Sequence, residues 1–351
     1  MSRFLKEALR AVEPYTPGEQ PRGVQDLLKL NTNENPFPPS PMVQKALHSG
    51  EIARLNLYSD PNCADFLRVL ADTLGVGCGQ VLAGNGSDEV LQFAFSAFAE
   101  KGAAYPDITY GFYDVLSRFF GLPSQIVPLR EDLTVAVEDY EGFPGMVVLA
   151  NPNAPTGLYL PLRQIEKLLC QDPNRLCLID EAYIDFGGES AVSLLPRYEN
   201  LLVVRTFSKS RSLAGARLGF AAGSEDVIRD LNTVRCSINP YNVNSLTLLA
   251  GISALRDADY FAKCCAEITA VRDWTARQLR GFGFTVTQSS TNFVFAGKNP
   301  RISGAEYYAA LRKNNILVRH FAAPRTADWV RVSVGTRAQM ERLVEATRGL
   351  L

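Results

Sequence analysis

The chain has 351 residues, of which 46% are hydrophobic and 21% are charged. Its 36 basic and 37 acidic side chains nearly cancel, and together with the apolar content this balance indicates neither a disordered chain nor a general affinity for nucleic acid. This length predicts about two domains with a large buried core, acting on small molecules or on a second copy of the chain.

The first predicted element is an irregular arm over residues 1–41, which are rich in proline and asparagine. From residue 42 onward, short apolar runs alternate with segments of helical spacing. The runs predicted as strands are QVLAG (80–84), QIVPL (125–129), MVVLA (146–150), LCLID (176–180), LLVVRT (201–206) and LGFAAG (218–223). The predicted helices are SDEVLQFAFSAFAE (87–100), YGFYDVLSRFFG (110–121) and LRQIEKLLCQD (162–172). Apolar strands separated by helices favour a mainly parallel sheet covered on both faces, so we predict a large three-layer α/β/α domain over residues 42–256.

A smaller α+β domain is predicted over residues 257–351, together with part of the N-terminal arm. Residues 257–281 have helical periodicity and no proline, so they predict a helix that leads into this domain. The strands predicted after it are FTVTQ (284–288), TNFVFAG (291–297), ILVRHF (316–321) and WVRVSVG (329–335). The helices predicted there are GAEYYAALRKNN (304–315) and RAQMERLVEATRGL (337–350).

Histidine and cysteine contents limit the possible chemistry. The chain has only His48 and His320, so a Ser-His-Asp relay or a His-rich metal site has little to be built from, and no metal is expected. Its seven cysteines form no Cys-x-x-Cys pair, which favours reduced thiols. The first residues lack the apolar region of a signal peptide, and no stretch approaches about 18 consecutive apolar residues. We therefore expect a cytoplasmic protein that does not contact membranes.

Polar residues follow four of the predicted strands at their carboxyl ends, where open α/β sheets bind ligands. QVLAG runs into NGSDE, MVVLA runs into NPNAPTG, LCLID ends at Asp180, and LLVVRT leads to Lys209. Each feature has an ordinary structural explanation, as a helix cap, a proline turn or a charge at a strand end. Their arrival at one sheet edge indicates a binding site.

The composition of this edge points to a particular cofactor. The helix that begins after Gly86 offers free N–H groups, and Arg217 offers paired donors, so both favour a phosphate. NGSDE matches neither the P-loop nor the dinucleotide-binding pattern, so we do not expect ATP or NAD. A lysine that forms a Schiff base, an acid for a pyridinium nitrogen and a separate phosphate cup are together what pyridoxal 5′-phosphate requires.

Eight segments carry a resemblance to a known family. NTNENPFPPSP, YSDPN, GNGSDE, YPDITYGFY, NPNAPTG, DEAYIDF, RTFSKSRSLAGARLGF and VRVSVGT resemble, in this order, the motifs of fold-type-I aminotransferases, and most closely those of the histidinol-phosphate aminotransferases. The likeness spans nearly the whole chain. The motif around Lys209, with Arg217 eight positions later, is the most specific part.

The resemblance implies a role for each site residue. Lys209 would bond covalently to pyridoxal phosphate and move a proton between the substrate Cα and the cofactor C4′. Asp180 would keep the pyridine nitrogen protonated, Tyr183 would hydrogen-bond the phenolic oxygen, and Tyr110 would stack on the ring. The residues implied around the phosphate are Ser87, Asp88, Thr206, Ser208 and Arg217, joined by Tyr58 from a neighbouring subunit. The resemblance thus implies a homodimer with a shared active site.

One position departs from the family pattern. The family commonly has Asn-Pro-Asn-Asn-Pro-Thr-Gly, in which the asparagine before Pro-Thr-Gly contacts the phenolic oxygen, but here that position is Ala154. Either Asn153 reaches this oxygen or Tyr183 holds it alone.

The substrate residues are also implied by the resemblance. Arg331 would bind the substrate carboxylate, Arg319 would bind a second anion, and Tyr15 on the arm would close over the substrate. For these last two residues a purely structural role is an equal alternative: Arg319 could be a solvated strand residue, and Tyr15 could anchor the arm.

The resemblance implies transamination between L-histidinol phosphate and 2-oxoglutarate. The alternatives are an aromatic amino acid aminotransferase, a phosphothreonine decarboxylase that uses the same cofactor, and a non-catalytic regulatory domain that binds it. The last ranks lowest because about 40 residues of proline-rich arm are too few for a preceding helix-turn-helix domain.

Overall fold

The computed structural model describes residues 4–6, 9–10, 12–21, 23, 25–47 and 49–351, so His48 lies outside the described residues. The strands are β1 (Leu28–Lys29), β2 (Val81–Gly84), β3 (Ala103–Pro106), β4 (Ser124–Val127), β5 (Met146–Ala150), β6 (Cys177–Asp180), β7 (Leu201–Thr206), β8 (Gly219–Gly223), β9 (Thr285–Val286), β10 (Phe293–Gly297), β11 (Ile316–Leu317), β12 (Arg319–His320) and β13 (Trp329–Ser333). The helices are α1 (Pro41–Ala46), α2 (Ser49–Ile52), α3 (Ala64–Leu74), α4 (Ser87–Phe98), α5 (Phe112–Phe120), α6 (Leu162–Gln171), α7 (Glu225–Ile238), α8 (Ser245–Arg256), α9 (Ala258–Gly281), α10 (Gly304–Lys313) and α11 (Arg337–Leu350).

The large sheet has seven strands in the order β2-β8-β7-β6-β5-β3-β4. Strand β8 is antiparallel to both of its neighbours, whereas the pairs from β7 to β4 are parallel. The register places Ala150, Asp180 and Val204 side by side near the carboxyl ends of three central strands. The polar residues that follow these strands therefore meet at one edge.

The three layers follow from the alternation of side chains along each strand. Val147 and Leu149 of β5 pack in a cluster that contains residues of α3, α6 and α8. Val148, between them, packs instead with residues of α4, α5 and α7. Since both faces are covered by helices, these strands are apolar along their length, as the sequence predicts.

The small sheet has four antiparallel strands in the order β12-β13-β10-β9, and its core includes residues of α9, α10 and α11. The N-terminal segment joins it, because β1 pairs in parallel with β11 and the Ser333 N–H donates to the Leu30 carbonyl at 2.9 Å. This pairing carries residues 31–35 toward the edge of the large sheet. The predicted boundary at residues 256 and 257 falls between α8 and α9, and we retain it as a proposal.

The predicted α/β class with a mainly parallel sheet is confirmed. The structure adds elements that the sequence patterns did not identify: strands β1 and β3 and helices α1, α2, α3, α7 and α8. No described helix is both long enough and apolar enough to cross a bilayer. Among the described residues, no cluster of His, Cys, Asp and Glu side chains is placed to hold a metal ion.

Candidate active site

A cavity of about 430 Å³ lies at the carboxyl ends of the central strands and is closed on one side by the small sheet and the arm. This volume lies within the range of about 300–1,000 Å³ that is common for small-molecule sites. Twelve of the predicted site residues line it: Tyr15, Ser87, Asp88, Tyr110, Asp180, Tyr183, Thr206, Ser208, Lys209, Arg217, Arg319 and Arg331. The other two, Asn153 and Tyr58, do not.

Lys209 lies in the loop after β7, and the N-terminal segment holds it in place. Its Nζ donates to the carbonyl oxygen of Thr32 at 3.3 Å and lies 5.9 Å from the ring centroid of Tyr183. The carboxamide of Asn35 donates to the carbonyl of Lys209 at 2.8 Å and to that of Ser210 at 3.3 Å. Both the amine and the main chain of the lysine are therefore positioned from residues 32–35.

Asp180 ends β6 and is only 4% exposed. The hydroxyl of Tyr113 donates to its Oδ2 at 2.8 Å, and the Ala182 N–H donates to its Oδ1 at 3.1 Å. Burial raises the pKa of Asp180 to about 6, although both hydrogen bonds act in the opposite direction. Each oxygen keeps acceptor capacity for a donor on a ligand.

The start of α4 forms one end of the cavity. Its N-cap, Gly86, has φ of 84° and supplies no side-chain cap, so the first N–H groups of the helix, from Ser87 onward, lack intrahelical partners. A Cβ at position 86 would lie 2.5 Å from Nη2 of Arg217. Glycine suits this position because its φ is one that L side chains rarely adopt, and it leaves the guanidinium beside the helix start, where both favour an anion.

Side chains around this helix start are already oriented by one another. Arg217 Nη2 donates to Asp88 Oδ2 at 3.1 Å, and the hydroxyl of Tyr110 donates to Asp88 Oδ1 at 3.0 Å. The hydroxyls of Thr206 and Ser208 are hydrogen-bonded at 2.9 Å. Because the Asp88 carboxylate only accepts, it suits the orientation of Arg217 better than direct contact with an anion.

Arg331 of β13 is a half-buried cation on the opposite side of the cavity. Its Nη2 donates to the carbonyl of Asn31 at 3.2 Å, whereas its buried Nε has no hydrogen-bond partner. The guanidinium carbon lies 5.3 Å from the ring centroid of Phe293 and 5.7 Å from that of Phe321. Burial lowers the pKa of Arg331. A buried donor without a partner is expected to bind an anionic ligand.

Arg319 and Tyr15 complete this side of the cavity. Arg319 Nη2 donates to the carbonyl of Thr16 on the arm at 3.4 Å. The ring of Tyr15 lies edge-on to that of Tyr110, with centroids 5.6 Å apart. Burial raises the pKa of Tyr15, while the charges of Arg331 and Arg319 oppose this rise.

Asn153 is engaged elsewhere. Its Nδ2 donates to the Ile108 carbonyl at 2.9 Å and to the Thr156 hydroxyl at 3.0 Å, and its Oδ1 accepts from the Thr109 hydroxyl at 2.9 Å. This geometry gives no support to a contact between Asn153 and a cofactor. Ala154 lines the cavity at the position where the family commonly has asparagine.

Tyr58 lies on the surface, 83% exposed, and stacks on Tyr241 with ring centroids 4.5 Å apart. It makes no part of the cavity of its own chain, so its predicted contact depends on a neighbouring subunit.

The sequence patterns did not identify three residues that hold the predicted ones. Asn33 Nδ2 donates to the hydroxyl of Tyr183 at 2.9 Å, and the hydroxyl of Ser333 donates to Asn33 Oδ1 at 2.9 Å. Asn35 holds Lys209, and Tyr113 holds Asp180, as described above. A buried carboxylate needs a donor, so the presence of such a partner was predictable but its position was not.

A buried charged cluster lies behind Lys209. Arg205 pairs with Asp185, which also accepts from the hydroxyl of Ser210. Glu181 accepts from Ser190 Oγ at 2.5 Å and from the Ala191 N–H, and burial raises its pKa to about 7. An open groove of about 690 Å³ borders this cluster. Because its arginine is already paired with Asp185, the groove is a weaker candidate for binding an anion than the smaller cavity.

Comparison with known proteins identifies the family. Residues 25–346 match the family described as aminotransferase class I and II. The chain is 46% identical to histidinol-phosphate aminotransferase 2 of Dechloromonas aromatica, with 99% of each chain covered. It is 43% identical to histidinol-phosphate aminotransferase of Brachyspira hyodysenteriae, over 100% of this chain and 99% of the relative.

A solved structure shares the fold. Histidinol-phosphate aminotransferase from Sinorhizobium meliloti, in complex with pyridoxal-5′-phosphate, has a TM-score of 0.88 and 24% identity, over 100% of this chain and 99% of that one. The family match over most of the chain and the full-length relatives agree with the arrangement of Lys209 and Asp180 around one cavity. The chain belongs to the class I and II aminotransferase family, within which it groups with the histidinol-phosphate aminotransferases.

Proposed function

We propose that this aminotransferase uses pyridoxal 5′-phosphate to exchange an amino group between L-histidinol phosphate and 2-oxoglutarate, a reaction of histidine biosynthesis. One observation carries the proposal: Lys209, Asp180 and cations from both sides line the same cavity. Arg217 comes from the large-sheet side, and Arg331 comes from the small sheet. The shared name of the full-length relatives supports histidinol phosphate as the amino donor.

The residues present fit pyridoxal phosphate. Asp180 is a buried acceptor with one protein donor on each oxygen, which leaves room for the hydrogen bond of a protonated ring nitrogen. The phosphate would be held by the free N–H groups of α4 with Ser87, Thr206, Ser208 and Arg217, while Asp88 orients Arg217. When bound, the cofactor supplies a ring that withdraws electrons from the substrate α-carbon.

Lys209 is the residue that we propose moves the proton. Its amine lies inside the cavity, with the Thr32 carbonyl as its hydrogen-bond partner. A primary amine that is released from this single contact can take a proton from the substrate α-carbon and return it to a neighbouring carbon. The clamp by Asn35 keeps the Lys209 main chain fixed while the side chain moves.

Tyr183 and Tyr110 position the cofactor in this proposal. Because Asn33 donates to the Tyr183 oxygen, the hydroxyl hydrogen of Tyr183 is free to donate into the cavity. This geometry favours the alternative in which Tyr183 contacts the phenolic oxygen without Asn153. The Tyr110 ring, held through Asp88, forms a wall on which the cofactor ring can stack.

Arg331 and Arg319 bind the substrate anions in this proposal. Histidinol phosphate presents a phosphate, whereas glutamate presents two carboxylates, so one pocket has to accept both sets of charges. Two guanidinium groups suit both, because each offers paired donors to carboxylate or phosphate oxygens. Tyr15 lies against Tyr110 and close to both charges, where it can cover the bound substrate.

We further propose a homodimer in which Tyr58 reaches the partner's cofactor phosphate. The support is a set of exposed apolar side chains in two segments, which Tyr58 and Tyr241 join by stacking: Met42, Leu47, Ile52, Leu55, Leu57 and Tyr58 in the first, and Ile238 and Tyr241 in the second. Exposed apolar side chains in such number mark association surfaces.

All seven cysteines are unpaired, which supports a reducing, cytoplasmic location.

The experiment that tests the function is an assay of the purified protein with pyridoxal phosphate and 2-oxoglutarate. Histidinol phosphate, phenylalanine, tyrosine and phosphothreonine are compared as donors by glutamate formation, with carbon dioxide measured in parallel. We expect the highest kcat/KM with histidinol phosphate. An equal or higher value with phenylalanine or tyrosine would establish the aromatic aminotransferase, and carbon dioxide from phosphothreonine would establish the decarboxylase.

A further inference from the structure

Tyr113 is a buried tyrosine whose hydroxyl reaches the floor of the cavity without lining it. It lies in the first turn of α5, its side chain is fully buried, and its Oη donates to Asp180 Oδ2 at 2.8 Å. Tyr110, three positions earlier, lines the cavity and donates to Asp88. The start of α5 thus places two tyrosine hydroxyls on two different carboxylates.

The hydrogen bonds of Asp180 fix the orientation of its carboxylate. The Ala182 N–H holds Oδ1 and Tyr113 holds Oδ2, so neither oxygen is free to rotate. Ala182 belongs to the main chain beside Asp180 itself, whereas Tyr113 is held by a different element. The ring of Tyr113 packs against those of Tyr110 and Tyr105, with centroids 5.7 and 6.0 Å away. The tyrosine is therefore a rigid support for the carboxylate.

The surroundings of Asp180 shift its pKa in opposite directions. Burial and the carboxylate of Asp88 raise its pKa, whereas the Tyr113 hydroxyl, the Ala182 N–H and the charge of Lys209 lower it. Tyr110 also faces Asp180, from the cavity side. Burial and the nearby Asp180 charge raise the pKa of Tyr113 well above the usual range, so its hydroxyl keeps its proton and remains a donor.

We propose that Tyr113 is a positioning residue of the reaction: its hydroxyl keeps Asp180 ionised and aimed at the ring nitrogen of the cofactor, while Tyr113 itself touches neither cofactor nor substrate. The inference rests on the proposed function, in which Asp180 binds that nitrogen. A hydrogen bond to a charged group stabilises the charged form, so its loss makes the neutral acid easier to form. The ring nitrogen then loses the partner that keeps it protonated.

Tyr113→Phe removes the hydroxyl and keeps the packing of the ring. The matched control is Tyr105→Phe, because the Tyr105 hydroxyl is bonded to Ser124 at 3.1 Å and does not contact Asp180. Both variants lose one hydroxyl from the same aromatic cluster. Only the first removes a donor from Asp180.

The measurement is the affinity for pyridoxal phosphate as a function of pH, followed by quenching of protein fluorescence. Binding should weaken as pH falls and Asp180 becomes protonated. Without the Tyr113 hydroxyl, we expect the midpoint of this change to rise by about one pH unit, because one unit corresponds to the loss of one such hydrogen bond. Tyr105→Phe should leave the midpoint where it is in the wild type.

A second measurement uses pyridoxal phosphate methylated on its ring nitrogen, which carries a permanent charge and needs no proton. With the natural cofactor, we expect kcat of Tyr113→Phe to fall about tenfold at neutral pH, with a smaller change in KM. With the methylated cofactor, the ratio of wild-type to variant kcat should approach one. A merely structural role would leave this ratio unchanged.

The outcomes separate the two claims. If the wild type binds pyridoxal phosphate but Tyr113→Phe has the midpoint of Tyr105→Phe, or keeps its tenfold deficit with the methylated cofactor, the inference is wrong and the proposed function stands. If the wild type does not bind pyridoxal phosphate, the proposed function is wrong. If Tyr113→Phe does not fold, Tyr113→Met, which has no hydrogen-bond donor, is compared with Tyr113→His, which has one. Equal pH midpoints for these two variants would overturn the inference.

Discussion

The two walls of the cavity are built in different ways. The sheet wall, which we define as Asp180, Thr206, Ser208 and Lys209, comes from strand ends, and its first three residues are at most 8% exposed. The arm wall, defined as Tyr15, Arg319 and Arg331, comes from the small sheet and the N-terminal arm, and Tyr15 is 40% exposed. The sheet wall is held by hydrogen bonds to buried partners, whereas Tyr15 is placed mainly by ring contacts.

This difference suits two different ligands. A cofactor is the same in every turnover, so a rigid wall with buried partners can be matched to it. The amino donor and the oxo acid differ in size and charge, so the wall that meets them benefits from a less constrained arm. Arg331 combines both properties, because it is half-buried in β13 but keeps a buried, unpartnered Nε for a substrate.

The largest effect is expected at the centre of the sheet wall. Lys209→Ala should reduce transamination by more than about a thousandfold, because general acid-base and covalent contributions are lost together. Circular dichroism should show that the variant is folded. The control is Lys167→Ala, whose side chain is 62% exposed on α6. Turnover of Lys209→Ala close to that of the wild type would refute the assignment of this lysine.

Loss of each arginine of the arm wall should lower kcat/KM, by a larger amount for Arg331 than for Arg319. Arg331→Ala leaves a buried substrate anion without its partner, which should cost about 2–5 kcal/mol in kcat/KM for every donor. Arg319→Ala should cost less, and more for histidinol phosphate than for phenylalanine, because the phosphate of the former can carry two negative charges, whereas the carboxylate of phenylalanine carries one. The control is Arg229→Ala, on the exposed surface of α7. Equal losses with both donors would show that Arg319 does not distinguish them.

The buried carboxylate of Asp180 in the sheet wall should lower the free energy of unfolding of the apoprotein at neutral pH. The pKa of Asp180 is raised from 3.8 to about 6 by burial, so the folded apoprotein binds a proton more readily than the unfolded chain. Stability therefore falls as pH rises through this window, by at most roughly 3 kcal/mol. Asp180→Asn removes this cost, because its amide can donate to Tyr113 while its oxygen accepts from Ala182.

Denaturant unfolding of the apoproteins checks this reasoning. Above pH 7, Asp180→Asn should be more stable than the wild type, and the difference should vanish near pH 4. Saturating pyridoxal phosphate should reverse the order, since only the wild type gains the full binding energy. The exposed Asp139→Asn is the control. A difference that does not depend on pH would mean that the ionisation of Asp180 is not its cause.

The two walls also differ in how far the sequence predicts them. Strands β5 and β7 have the predicted bounds, because an apolar run covered on both faces leaves a continuous signal. Asp180 and Lys209 follow from the rule that strand ends carry the site. Strand β3 was not predicted, because its four residues include Pro106 and lack the β-branched residues typical of strands.

The partners of these residues were beyond the reach of sequence patterns. No periodicity relates Asn33 to Tyr183 or Asn35 to Lys209, because these contacts depend on the pairing of β1 with β11. Tyr113 left a weaker signal, since it follows Tyr110 by three positions and shares its side of the helix start. The predicted roles of Asn153 and Tyr58 came from the family resemblance alone, and both side chains lie outside the cavity.

Tyr58 should give the smallest effect, and it tests whether a second chain completes the sheet wall. If its hydroxyl bonds the cofactor phosphate of the partner, Tyr58→Phe should weaken cofactor binding by about 1 kcal/mol, roughly fivefold, the usual value of one hydrogen bond. Tyr241→Phe is the matched control, because Tyr241 stacks on Tyr58 at the same surface but has no predicted contact with the cofactor. Cofactor affinity is measured by fluorescence at protein concentrations above and below the concentration at which the dimer dissociates. Light scattering follows the oligomeric state. The difference between Tyr58→Phe and the wild type should disappear in the monomer, since there the hydroxyl has no phosphate to reach. A monomer with full activity and full affinity would contradict the shared site and would leave the sheet wall complete within one chain.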